Sequence, residues 1–164
     1  MSAFAFYLAH AVVLAYALVG GVFLAFSDFI MRALSLTGGP GGAEAMQQIN
    51  IAVFRWIFMT LFLGLAAVSV MAGAYAVFRL EGATAVLTLA AAAVYLFGCF
   101  DVTVVFNVPM NEALAGMDPT QEPARAYWSG TYLPRWTFWN SVRTFACVLS
   151  AGLLLLALTS AAPE

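Results

Sequence analysis

The sequence predicts an all-α integral membrane protein: a four-helix bundle of two parallel-related helical hairpins, in one transmembrane domain over residues 1–164. Three observations carry that prediction. Only 9% of residues are charged and 64% are hydrophobic, whereas soluble domains carry about 25% charged residues. Mean hydropathy is +0.95. Four continuous apolar runs, at about 4–27, 52–78, 84–106 and 136–158, each supply the roughly 20 residues that a helix needs to cross a hydrocarbon core of about 30 Å. None alternates at the period of a barrel strand.

The first run has no Lys or Arg before it and exceeds the roughly 7–15 apolar residues of a signal peptide, so it reads as a retained span. It closes on Asp28-Phe-Ile-Met31-Arg32. The segment Gly38-Gly39-Pro40-Gly41-Gly42 lacks the Lys and Ser/Thr of a phosphate loop and reads as a flexible turn. Asn50 and Arg55 flank the start of span two, and a short turn at 79–83 joins it to span three. That span carries Asp101 and closes on Asn107-Val-Pro109-Met110-Asn111. The segment after it holds Glu122, Pro123, Arg125, Tyr127, Trp128 and Tyr132, a composition suited to a short interfacial helix acting as a lid. Asn107 to Asn111 echoes Asp28 to Arg32. Asn140 with Arg143 echoes Asn50 with Arg55, although the spacings are three and five. Parallel hairpins related by an axis along the membrane normal would give this pattern.

Four spans put both termini and the 79–83 turn on one side and the long connections 30–50 and 107–135 on the other. Arg32, Arg55, Arg125 and Arg135 lie on the long-connection side against Arg79 opposite, which by the positive-inside rule faces the long connections to the cytoplasm of a bacterial inner membrane. A net charge of -2, with six Arg and no Lys, excludes a nucleic-acid surface. The expected partners are the lipid bilayer and a hydrophobic small molecule, with a homo-oligomer or a membrane complex as further candidates.

Ionisable groups inside spans are costly and mark functional or pairing roles. Asp101 and Arg143 each lie about two turns below the long-connection boundary, roughly 10 Å at 1.5 Å per residue, so they are expected to pair. Asp28 and Arg55 are shallower and form a second expected pair. Trp136, Trp139, Asn140 and Arg143, at i, i+3, i+4 and i+7, form one helical stripe. With Asn107, Asn111 and Asn50 they would line a pocket open to the long-connection face, which the small residues Ala52, Gly98 and Ala146 would widen. Rings, amides and a guanidinium suit a flat, oxygen-bearing aromatic ligand. The alternative is helix–helix glue from Asn and Arg and an interfacial Trp belt. His10 stands alone, so a two-histidine metal or haem site is out of reach. Cys99 and Cys147 form no Cys-x-x-Cys pair and read as small apolar fillers.

The segments Phe26-Ser-Asp28-Phe-Ile-Met-Arg32-Ala-Leu34, Ala45-Met46-Gln-Gln-Ile-Asn50, Asn107-Val-Pro109-Met-Asn111 and Trp136-Thr-Phe-Trp139-Asn140-Ser-Val-Arg143 resemble those of the anthrone oxygenase-like family of small four-helix membrane proteins. The resemblance runs from about residue 5 to 158, with Asn-x-Pro-x-Asn and Trp-Asn-x-x-Arg its most specific parts. It implies oxidation of anthrones to anthraquinones with dioxygen, and makes Asn107, Asn111, Trp139, Asn140 and Arg143 the family-motif residues. Ser141 stands where many relatives are expected to carry His.

The reading that follows is a membrane oxygenase-like oxidoreductase acting on a hydrophobic phenol, anthrone or quinone without a metal. Asp101 or Asp28 would be the base, Arg143 would stabilise the oxyanion, and Asn107, Asn111, Trp136, Trp139, Asn140, Asn50 and Arg55 would bind substrate. No cofactor is required, although a bound quinone would fit. The rival is a non-catalytic bundle, a small transporter or an accessory subunit.

Overall fold

A computed structural model describes residues 3–55 and 57–160. Four helices are long and apolar enough to cross a membrane: α1 (Phe4–Ser35), α3 (Ile57–Arg79), α4 (Gly82–Ala115) and α5 (Glu122–Ser160). A shorter helix, α2 (Gly41–Ala52), lies between the first two and ends in a 3-10 turn, Val53–Arg55. Among the described residues there is no strand.

Helices α1, α4 and α5 outrun the apolar stretches that predict them, always at the long-connection end. Hydropathy marks where the bilayer core stops, whereas a helix continues wherever its residues favour one. Met31-Arg32-Ala33-Leu34 and Glu112-Ala113-Leu114-Ala115 are good helix formers, so α1 and α4 project beyond their apolar parts. The expected long loops are therefore largely helical. The aromatic segment expected to be a separate interfacial lid is continuous with α5 instead.

Helix α5 packs against α1 and α4, while α3 packs against α4 and α1. Lipid tails are as apolar as the helices, so association depends on close packing and interhelical hydrogen bonds. Small residues permit the approach. A Cβ placed on Gly20 would lie 2.9 Å from Cys147 Cβ, and one on Gly98 would lie 2.8 Å from Ala146 Cβ. Gly98 and Ala146 thus close the interior at their level rather than widening it. Cys99 and Cys147 are fully buried in the same layer with their sulfurs 3.4 Å apart. Tyr16 shares a 2.6 Å hydrogen bond with Ser69, and Tyr95 Oη donates to the Phe62 carbonyl at 2.9 Å. Large apolar side chains such as Leu14, Leu18, Phe78, Phe97 and Phe145 are exposed around the outside, as contact with lipid requires.

A second core forms where the long connections meet. Met31 from α1, Ala43 and Met46 from α2, Leu114 from α4 and Trp128, Tyr132 and Trp136 from α5 are buried together. Gln47 Nε2 donates to the carbonyls of Leu114 and Met117 at 2.8 and 3.0 Å, satisfying acceptors that the end of α4 leaves free. The turn from α4 to α5 is held by Asp118, whose Oδ1 accepts from the Thr120 hydroxyl at 2.7 Å and backbone N–H at 2.9 Å. Those two donors hold the Asp118 carboxyl below its usual range.

The seat of α2 on α1 yields a stability prediction. A Cβ at buried Gly42 would collide with the Leu34 carbonyl, which is backbone and cannot swing aside, whereas one at neighbouring Gly41 would meet Thr37 at an ordinary 3.6 Å. Gly42→Ala should therefore destabilise by about 1–3 kcal/mol and Gly41→Ala by much less. Thermal unfolding of the two variants in one detergent measures the difference, and equal melting temperatures would contradict this packing.

Candidate functional site

Three helices carry π-helical segments at the same end: Phe26–Ile30 in α1, Leu96–Asp101 and Thr103–Asn107 in α4, and Trp128–Tyr132 in α5. Such wide turns recur at functional sites because the extra residue re-aims its neighbours. In α4 the wide turn precedes Pro109, whose ring would otherwise press on the carbonyl four residues earlier. Between these segments lies the most polar part of the interior.

Arg143 is its centre and is 4% exposed. Its Nη2 donates to Asn140 Oδ1 at 2.7 Å and its Nη1 to Thr103 Oγ1 at 3.3 Å. The guanidinium carbon lies over the Phe23 ring, 4.2 Å from its centre, and over that of Trp136 at 5.2 Å, so two aromatic faces meet the cation. Its Nε has no hydrogen-bond partner. No carboxylate approaches it; the described residues contain no ion pair at all.

The network continues outward. Asn140 Nδ2 donates to the Phe23 carbonyl and to Ser27 Oγ, both at 2.6 Å. Ser141 Oγ lies 3.0 Å from Ser27 Oγ and 2.9 Å from the Thr137 carbonyl. Ser141 has one proton for these two acceptors. When it turns to Ser27, the Ser27 proton is left free to point outward. Ser27 and Ser141 form part of an open groove of about 520 Å³ between α1 and α5, with Met31, Arg32, Leu133 and Thr137.

A second network lies nearer the connections. Asn111 Oδ1 accepts from Tyr132 Oη at 2.7 Å and Trp136 Nε1 at 2.8 Å, and Asn50 Nδ2 donates weakly to Tyr132 Oη at 3.4 Å. Asn107 Nδ2 donates to the Trp136 carbonyl at 3.3 Å, while its buried Oδ1 has no partner.

A family model described as anthrone oxygenase matches residues 52–153. The chain belongs to the anthrone oxygenase family. Neither a comparison with curated proteins nor one with solved structures gives a match.

In this anthrone oxygenase family member the matched stretch contains Arg143, Asn140, Asn107, Asn111 and Trp136, all drawn into the two networks, whereas Asn50 and Ser27 lie before it. Other expected placements fail. Asp101 does not pair with Arg143: it is exposed, two residues from the inward-facing Thr103, and two residues of a helix turn a side chain to roughly the opposite face. Asp28 and Arg55 are both exposed and make no ion pair, and Ser27 rather than Asp28 joins the inward network on α1. Trp139 leaves the stripe and stacks on Phe106 of α4 with ring centres 3.7 Å apart and planes 4° from parallel. Asn107, Asn111, Trp136, Asn140 and Arg143 are satisfied mostly by one another, and neither the groove nor the apolar cavity at the other end is lined by them. At their level the polar side chains largely pair with one another, with Asn107 Oδ1 and Arg143 Nε left free.

Sequence reasoning passed over Ser27, Phe23 and Tyr132. Ser27 and Phe23 sit four residues apart on α1, a spacing that places them on one face. Tyr132 was hidden by its assignment to a loop. His10 Nδ1 donates to the Phe6 carbonyl of its own helix at 2.8 Å, a local role.

Proposed function

We propose that this protein oxidises a hydrophobic phenolic or anthrone-type molecule drawn from the bilayer, bound as its oxyanion in the groove between α1 and α5. The observation that carries this reading is a buried cation without a counter-charge, connected through Asn140 to the hydroxyls of Ser27 and Ser141 in that groove. A buried charge normally acquires an opposite one, and Arg143 has none among the described residues. An anionic substrate oxygen accepting from Ser27 would be stabilised through Asn140 by that positive charge.

The chemistry needs no metal in principle. Loss of a proton from the anthrone methylene gives an electron-rich carbanion, which adds dioxygen. The resulting hydroperoxide loses water and leaves a carbonyl. One anthrone and one dioxygen thus give one anthraquinone and one water. The protein's contribution is to hold the oxyanion in a low-dielectric site.

The test is dioxygen uptake and anthraquinone absorbance with a hydroxylated anthrone and the detergent-purified chain, read against spontaneous oxidation in micelles alone. Uptake above background, one dioxygen per anthraquinone, is expected; a rate equal to the empty-micelle control would overturn the proposal. The mutual pairing of Asn107, Asn111, Tyr132 and Trp136 favours a second reading, a non-catalytic membrane subunit. That reading predicts a stoichiometric protein partner on purification in mild detergent, with no turnover.

A further inference from the structure

A cavity of about 370 Å³ opens at the other end of the helices, between the first turns of α1 and α4 and the last turns of α3 and α5. Leu8, Val12, Met71 and Leu154 are typical of its walls, and no charged residue lines it. Its polar groups are three hydroxyls, those of Tyr75, Thr84 and Thr88, and none has a hydrogen-bond partner among the described residues. Thr88 is only 7% exposed. Helical threonines commonly donate to the carbonyl four residues earlier, as Thr103 and Thr144 do here at 2.8 and 3.1 Å. Thr88 does not, so on a buried residue an unpaired hydroxyl is left accessible to the cavity.

Those hydroxyls decide between occupants. Thr88 lies six residues into α4, roughly 9 Å along the helix from its start. A lipid acyl chain would fill the space and leave that donor unsatisfied at depth. An ion would find no counter-charge. A volume in the range of small-molecule pockets, apolar walls and a few convergent donors suit a compact neutral molecule with an oxygen acceptor. We propose that this cavity binds a neutral, ring-sized molecule of the lipid phase whose carbonyl oxygen accepts a hydrogen bond from Thr88. The site shares no residue with the groove and does not depend on the chemistry proposed there.

The experiment is equilibrium dialysis of radiolabelled menadione, a neutral ring ketone, and of methylnaphthalene, its oxygen-free counterpart, against the detergent-purified full chain. Thr88→Val keeps the shape and removes the donor. It should weaken menadione binding about five- to tenfold, the scale of one hydrogen bond, and leave methylnaphthalene binding unchanged. Ala72→Phe should fill the cavity and abolish binding of both, with Ala9→Leu as a second plug if the first variant does not fold. Arg143→Met, at the far end, should alter neither, which separates failure here from failure of the groove. Menadione binding that is insensitive to Thr88→Val, as an acyl-chain cavity would give, overturns the proposal. So does binding that survives a folded plug.

Discussion

Replacing Arg143 by Met is expected to lower anthrone oxidation by about 10²–10³-fold while leaving the melting temperature in detergent unchanged or higher. The two effects separate because Arg143 contributes little that a well-packed apolar side chain could not. Among the described residues it has no ion-pair partner, its Nε is unpaired, and its other contacts are Asn140, Thr103 and two aromatic faces. Replacing buried charges with apolar groups of similar volume is often neutral or stabilising by about 1–4 kcal/mol. Against this stands the Asn140 Oδ1 hydrogen bond, whose loss costs roughly 1 kcal/mol. A residue that is neutral or costly for stability and necessary for turnover is a functional one. If Arg143→Met instead lowers stability by several kcal/mol and leaves the oxidation rate above background intact, the cation is structural and the groove loses its electrostatic source. Arg143→Lys refines the result: it keeps the charge but loses the planar fork that reaches Asn140 and Thr103 together, so only partial rescue is expected.

The sequence disclosed depth far better than direction. The four spans were legible because about 20 apolar residues in a row rarely form anything but a membrane helix. The polar residues were legible because charges and amides within spans are expensive. Rotation about the helix axis was not. Asp101 and Arg143 sit where counting along the chain puts them, yet only Arg143 faces inward. Ideal 3.6-residue spacing fails across α4, which contains two π-helical segments within a dozen residues. The same limit applies to Trp139: the i, i+3, i+4, i+7 stripe is wide enough for its edge to meet Phe106 on α4 rather than the interior. Ser27 escaped notice beside Asp28 because a small hydroxyl carries no composition signal, although its position one turn beyond Phe23 puts both within reach of Asn140. The second core was invisible from a different cause: α2 and the first turns of α5 are polar enough to read as loops, and their helicity rests on packing around Met46, Leu114 and Tyr132.

Ser141→His is expected to raise the oxidation rate and to give it a new pH dependence. Ser141 is exposed at the groove, 3.0 Å from Ser27 Oγ, so an imidazole there can extend outward without entering the packed interior. The resemblance to relatives expected to carry His at this place supplies the motive, and the geometry supplies a reason for a gain. The groove as it stands offers hydroxyls and Arg32 in its wall, with Arg143 acting only through Asn140, to stabilise an oxyanion. The carboxylate expected to act as base, Asp101, is exposed and makes no ion pair with Arg143, and Asp28 enters neither network. Proton removal is then the step with least help. A positioned general base contributes typically about 10²–10⁴-fold. A histidine near its ordinary pKa of about 6.5 is active only when neutral. The variant's rate should therefore climb as pH rises through about 6.5 and level off above it, an inflection the parent protein lacks. Asn140 keeps its bond to the Phe23 carbonyl, so the network should survive the exchange. Anthraquinone formation by parent and variant, followed from acid to mildly alkaline pH with the spontaneous rate subtracted at each point, makes the comparison. A variant that folds, binds the anthrone and yet follows the parent's rate and pH profile would show that the groove at Ser141 is not where the proton leaves.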